Sequence, residues 1–140
     1  MKAKGWDLPS RYASASGGLA STAADFLRFE QMLCHRGELS GTRIISPESV
    51  ATMTSNQVGA MFSENGKMKG SGFGYTVAIM LDPEAANSHR SIGAFGWGGA
   101  HGTMTWTDPA LEVSGVLMVQ QPTKDLAADF EKAIREAIGE

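Results

Sequence analysis

The run FGWGGAHG at Phe95 to Gly102 gathers the groups of this 140-residue chain that could do chemistry. Gly98 and Gly99 carry no Cβ, so the backbone beside Trp97 can approach another molecule closely. His101, two residues further on, could give or take a proton near neutral pH. Each has a plainer reading: Trp97 as a core aromatic beside a bulge, and His101 as an exposed turn histidine with no assignable carboxylate partner. Cys34 and His35 are adjacent, so on a helix they point in different directions and lack metal-ligand geometry, while His89 falls in a loop. Neither a metal site nor a cofactor is expected. Asp25 and Asp125 read as charges at helix N-termini rather than as catalytic acids.

The elements that must position these residues follow from capping and periodicity. Ser21 and Thr22 offer N-caps, Asp25 stands in capping-box position, and Gly37 supplies a stop. Between them Phe26, Phe29 and Leu33 form one apolar helical face, with Arg28, Glu30 and Arg36 off it. A turn at Gly37 to Gly41 leads to Ser46-Pro47-Glu48, which opens a second, short helix to about Met53. Residues 55–71 read as a surface loop.

From Phe73 to Leu81 the period changes to two, predicting a strand with Phe73, Tyr75, Val77, Ile79 and Leu81 facing one way. A turn over residues 82–91 precedes a second strand at Ile92 to Trp97, and a third runs from Thr103 to Thr107. Val113 to Gln120 is apolar on both faces, as in a strand covered front and back and lying inside the sheet. Residues 124–138 close the chain as a helix with a stripe of Leu126, Phe130, Ala133, Ile134, Ala137 and Ile138. The class is α+β: an antiparallel sheet of about four strands, a C-terminal helix packed on it, and N-terminal helices that could cover its other face. One domain is expected over residues 1–140, helical in 1–57, with the sheet and closing helix in 72–140.

Composition narrows the partners. A formal charge of −3, with 12 basic residues against 15 acidic, offers no basic cluster to follow a phosphate backbone, so nucleic acid is not expected. No segment approaches the roughly 20 apolar residues of a membrane span, and no export signal is read, so the expected location is cytoplasmic. The single cysteine excludes an intramolecular disulfide.

Several blocks then occur in a telling order: SGGLASTAADFLRF at Ser16 to Phe29, RIISPES at Arg43 to Ser49, MTSNQ at Met53 to Gln57, GFGYTVAIMLDP at Gly72 to Pro83 and FGWGGAHGT at Phe95 to Thr103. Over nearly its whole length the chain resembles the C-terminal part of the serine β-lactamase-like hydrolases, the penicillin-binding-protein-like family that includes class C β-lactamase-like esterases. The resemblance implies a partial β-lactamase/transpeptidase-like fold and a small ester or amide substrate. It also implies a serine nucleophile in a Ser-x-x-Lys motif, a tyrosine that assists proton transfer, and a substrate strand whose backbone N–H completes an oxyanion hole.

Trp97, Gly98 and Gly99 match the Trp-Gly-Gly form of that strand and are the expected substrate-binding residues. No serine of the sequence has a lysine three positions later; Ser63 to Lys67 is one residue too long. Tyr12-Ala13-Ser14 superficially resembles the tyrosine motif but stands directly before SGGL, where the family does not place it. The expectation is a truncated hydrolase, inactive by the serine mechanism alone, with Tyr12 and His101 as weak catalytic candidates. Two alternatives stay open: a non-catalytic small-ligand or interaction module on the same fold, and hydrolysis by another mechanism through His101. An exposed sheet edge and apolar face would favour a homo-oligomer or a domain swap in which the N-terminal helices have moved.

Overall fold

The computed structural model describes residues 19–64, 68–121 and 123–139. Helix α1 spans Ala23–Cys34, and its start follows the capping logic: Thr22 accepts the Asp25 N–H at 3.1 Å and donates to the Asp25 carboxylate at 2.9 Å. The Gly37 stop is real; its φ of +89° suits only a residue free of Cβ strain. A two-residue hairpin, β1 (Glu38–Leu39) with β2 (Thr42–Arg43), then leads to α2 (Pro47–Met53), capped by the Ser46 hydroxyl on the Ser49 N–H. A one-turn helix α3 (Met61–Glu64) interrupts the expected surface loop.

The main sheet is antiparallel throughout and orders β3 (Ser71–Phe73), β4 (Ala78–Met80), β5 (Phe95–Gly96), β6 (Met104–Asp108) and β7 (Val113–Leu117) as consecutive neighbours. The single strand expected from Phe73 to Leu81 is a hairpin instead. Gly74 N–H bonds back to the Val77 carbonyl, Thr76 adopts a φ of +73°, and Tyr75 N–H is taken by the Met53 carbonyl. Alternation of side chains cannot register such a reversal, and Tyr75 and Leu81 end up exposed rather than inward. The expected strand at Ile92 to Trp97 shortens to β5, because Ile92 and Gly93 form a turn. Within the expected turn, Pro83–Ala86 forms a short helix α4 capped by Asp82.

Successive residues of a strand face opposite sides, which divides the core in two. Ile79 and Phe95 join Met32, Leu33 and Val50 on the side of α1 and α2. Met80, Ala94 and Trp106 turn the other way, where Phe130 and Ile134 of α5 (Leu126–Ile138) cover them. Strand β7 is accordingly covered front and back: α1 packs on it from one side, and Phe130 and Ile134 crowd Gly115 from the other. It is nevertheless an edge strand among the described residues, paired only with β6, and not an interior one. The face expected to lie open is covered in part by α1.

Both helices bury a charge that local periodicity assigns to solvent. Glu30 is 2% exposed while Phe29 beside it is 45% exposed, so the buried face of α1 is rotated from the expected one. Glu131 replaces Ala133 and Ala137 in the buried stripe of α5. It pairs with Arg90 at 2.8 Å and accepts from the Ser88 hydroxyl and the His89 N–H.

Candidate active site

The segment Trp97 to Gly99 extends β5 along β6. Thr105 N–H donates to the Trp97 carbonyl at 2.9 Å, Gly99 N–H donates to the Thr103 carbonyl at 2.7 Å, and Gly98 stands opposite Met104. In an antiparallel ladder this pattern makes Gly98 and Met104 a non-hydrogen-bonded pair, which turns the N–H and C=O of Gly98 away from β6. On that outward side the neighbour β4 pairs only as far as Gly96, opposite Ala78. Thr76, next in line, has already entered the hairpin turn. Gly98 therefore presents a backbone donor and acceptor that no strand takes up among the described residues.

Gly96 makes the arrangement possible. A Cβ there would sit 2.8 Å from the Thr105 carbonyl carbon and closer still to its oxygen, so β5 and β6 could not approach as they do. Gly98 and Gly99 are exposed, and a Cβ on Gly98 would lie 3.3 Å from the Thr103 oxygen. Small residues at these positions keep the strand both close to β6 and open on its outer side.

A cavity of about 330 Å³ opens beside this strand, between α1 and the sheet. Phe26, Phe29, Val77, Trp97, Met104 and Met118 give it apolar walls. Glu30, Thr76, Thr103 and Thr105 contribute the polar groups, and among the described residues no Lys, Arg or His lines it. Trp97 is half exposed and fixed by aromatic contacts, with ring centroids 5.0 Å from Phe73 at an edge-on angle of 79° and 6.4 Å from Phe62. Phe62 is brought there by Asn56, whose side chain accepts the Phe73 and Val58 N–H groups and donates to the Gly59 carbonyl.

Glu30 is held at the inner wall by the Thr107 hydroxyl at 2.6 Å, with the Thr105 hydroxyl as a second partner. Burial pushes its carboxyl above the usual glutamate range, and the hydrogen bonds from Thr107 and Thr105 partly oppose the rise. Thr105 also accepts the Trp97 N–H at 3.2 Å. A polar line thus runs from α1 through Thr105 to the backbone of the glycine strand.

The residues expected at the site divide clearly. Trp97, Gly98 and Gly99 lie together on the cavity wall. His101 is exposed on the turn at residues 100–102 and is not part of that wall. Tyr12 lies outside the described residues. Among the described residues, no group of three or more His, Cys, Asp or Glu side chains could hold a metal ion. Glu30 and Gly96 went unrecognised in the sequence; the signal for Glu30 was its place one turn from Phe26 and three residues before Leu33.

Known proteins resemble the chain in sequence and in fold. Over 134 residues the chain is 34% identical to Protein Rv1367c of Mycobacterium tuberculosis, covering 90% of this chain and 33% of that protein. Over 131 residues it is 29% identical to Esterase EstB of Burkholderia gladioli, covering 93% of this chain and 31% of the esterase. It spans about a third of the length of these curated relatives. The structure of EstCE1, described as a hydrolase with promiscuous acyltransferase activity, superposes with a TM-score of 0.67 at 26% identity, over 84% of this chain and 29% of that one. The simvastatin synthase LovD of Aspergillus terreus shares the fold at a TM-score of 0.61 and 20% identity, over 79% of this chain and 32% of that one. The family model described as Beta-lactamase matches residues 2–138. The chain belongs to the beta-lactamase family.

Proposed function

We propose that this chain forms the substrate-side wall of an ester-hydrolysing serine site. The observation that carries the reading is the N–H of Gly98, turned away from β6 and taken up by no strand among the described residues, on a Trp-Gly-Gly segment that lines an apolar cavity. In acyl transfer a nucleophilic oxygen adds to the substrate carbonyl and its proton passes to a base. The carbonyl oxygen gains the negative charge. A fixed N–H aimed at that oxygen stabilises the charge, and loss of one such donor elsewhere costs about 10²–10³ in kcat. The cavity beside Gly98 would hold the acyl chain out of water. Family membership and the names of EstB and EstCE1 support an ester as substrate.

The 140 residues contain no Ser-x-x-Lys, so in this reading the nucleophile and its base come from sequence beyond them, and the chain alone performs no serine chemistry. Purified chain is expected to give no hydrolysis of p-nitrophenyl butyrate above background and no labelling by a fluorophosphonate. Mixed with a separately produced segment of a relative carrying Ser-x-x-Lys, it is expected to gain both. Fluorophosphonate labelling of any serine in the chain alone would refute the reading.

We also propose that the free edge of β7 pairs with a second copy of the chain. Strand pairing at an open edge is the physical basis, and a strictly monomeric sedimentation profile at micromolar concentration would refute it.

A further inference from the structure

We propose that Glu30 reads a neutral hydroxyl group on the acyl chain of the substrate. The inference rests on the cavity being the acyl pocket and deepens that reading. Among the described residues Glu30 is the ionisable residue of the cavity lining, which otherwise consists of aromatic, aliphatic, threonine and glycine residues. Its carboxyl is not a surface group that happens to point inward: it is 2% exposed and held by a hydroxyl of β6 at 2.6 Å. Among the described residues it forms no ion pair, and the side chains that bond it are the hydroxyls of Thr107 and Thr105.

A carboxyl has more hydrogen-bonding capacity than two hydroxyls use. Glu30 lines a cavity whose other walls, among the described residues, offer mostly carbon. A purely aliphatic acyl chain would leave that polar group dry and unmatched, whereas a hydroxyl placed against it completes the set. A carboxylate-bearing ligand meets the opposite situation. It would bring an anion beside an acidic group with no Lys, Arg or His among the described wall residues to balance it. The same arrangement therefore selects for a neutral polar group and against an anion.

The probes are hexanamide, 6-hydroxyhexanamide and 6-amino-6-oxohexanoate, titrated into the 140-residue chain and followed by calorimetry. One hydrogen bond to the carboxyl is expected to make the hydroxylated probe bind about three- to tenfold more tightly than hexanamide, with the anion weakest. Glu30→Leu is expected to abolish the preference while hexanamide still binds. Glu30→Gln, which keeps a polar head group and guards against a misfolded leucine variant, is expected to retain the hydroxyl preference and to bind the anion better than wild type does. Equal affinities of wild type for hexanamide and its hydroxylated form, or tightest binding of the anion, would overturn the role of Glu30 and leave the acyl pocket standing. Failure of all three probes to bind would overturn the acyl pocket and this inference together.

Discussion

Replacing Gly96 by alanine tests whether the glycine strand is held open by close approach to β6. The new Cβ would lie 2.8 Å from the Thr105 carbonyl carbon, where ordinary contact begins near 3.4 Å, so the two backbones must part by about 0.6 Å or more. The obstacle is backbone, and no rotamer change relieves it. Parting stretches the Thr105 to Trp97 bond, now 2.9 Å, and the Gly99 to Thr103 bond, now 2.7 Å. Losing two such bonds costs about 1 kcal/mol each, and overpacking adds about 1–3 kcal/mol. The expected loss is thus about 3–5 kcal/mol, a large share of the roughly 5–15 kcal/mol that holds a domain folded. In thermal unfolding followed by circular dichroism this corresponds to a fall of roughly 10–20 °C. Gly98→Ala is the matched control: its Cβ would stand 3.3 Å from the Thr103 oxygen, and a cost below about 1 kcal/mol is expected. Equal midpoints for the two variants would refute the close-approach argument.

Further outcomes follow from the buried charges and caps. Because burial raises the Glu30 carboxyl, the fold holds its proton more tightly than the unfolded chain does. That stabilisation is complete below the ordinary value of 4.5 and is lost as pH rises through the raised one. Urea midpoints measured from pH 4 to 8 should therefore fall for wild type relative to Glu30→Gln, and parallel curves would refute the burial effect. Glu131→Ala strands Arg90, Ser88 and the His89 N–H, and an unfolding free energy lower by about 3 kcal/mol is expected from the lost buried pair. Thr22→Ala removes the α1 cap and should cost about 1 kcal/mol in the same assay. His101→Ala, on an exposed turn away from the cavity, should leave hexanamide affinity unchanged.

What was legible in the sequence was whatever is decided locally. The caps at Thr22 and Ser46, the stop at Gly37 and the closing helix are written in neighbouring residues, and each stands where those residues place it. The Trp97-Gly98-Gly99 segment was singled out through its resemblance to the family's substrate strand, since glycines beside a tryptophan by themselves read equally well as a bulge. The hairpin at Gly74 to Val77 was not, since its turn is fixed by the Met53 carbonyl more than 20 residues earlier in the chain. Nor was Glu30, whose partner Thr107 lies 77 residues away. An acid among helical surface residues reads as solvent-facing until that hydroxyl is seen. Glu131 carried a weak trace, standing at helical spacing between Ala127 and Ile134, but its ion-pair partner is again distant at Arg90.

Asn56 ties the chain down at the foot of the segment that carries Phe62. Its amide satisfies Val58 and Gly59 locally and Phe73 across to the sheet, so the start of the segment that carries Phe62 is pinned to the start of the sheet. Such a clasp separates two jobs: β3 keeps its register whatever the intervening segment does, while that segment decides which ring meets Trp97. Changes around Phe62 can then alter the packing of Trp97 without disturbing the strands, so the surroundings of that ring and the register of β3 can vary independently.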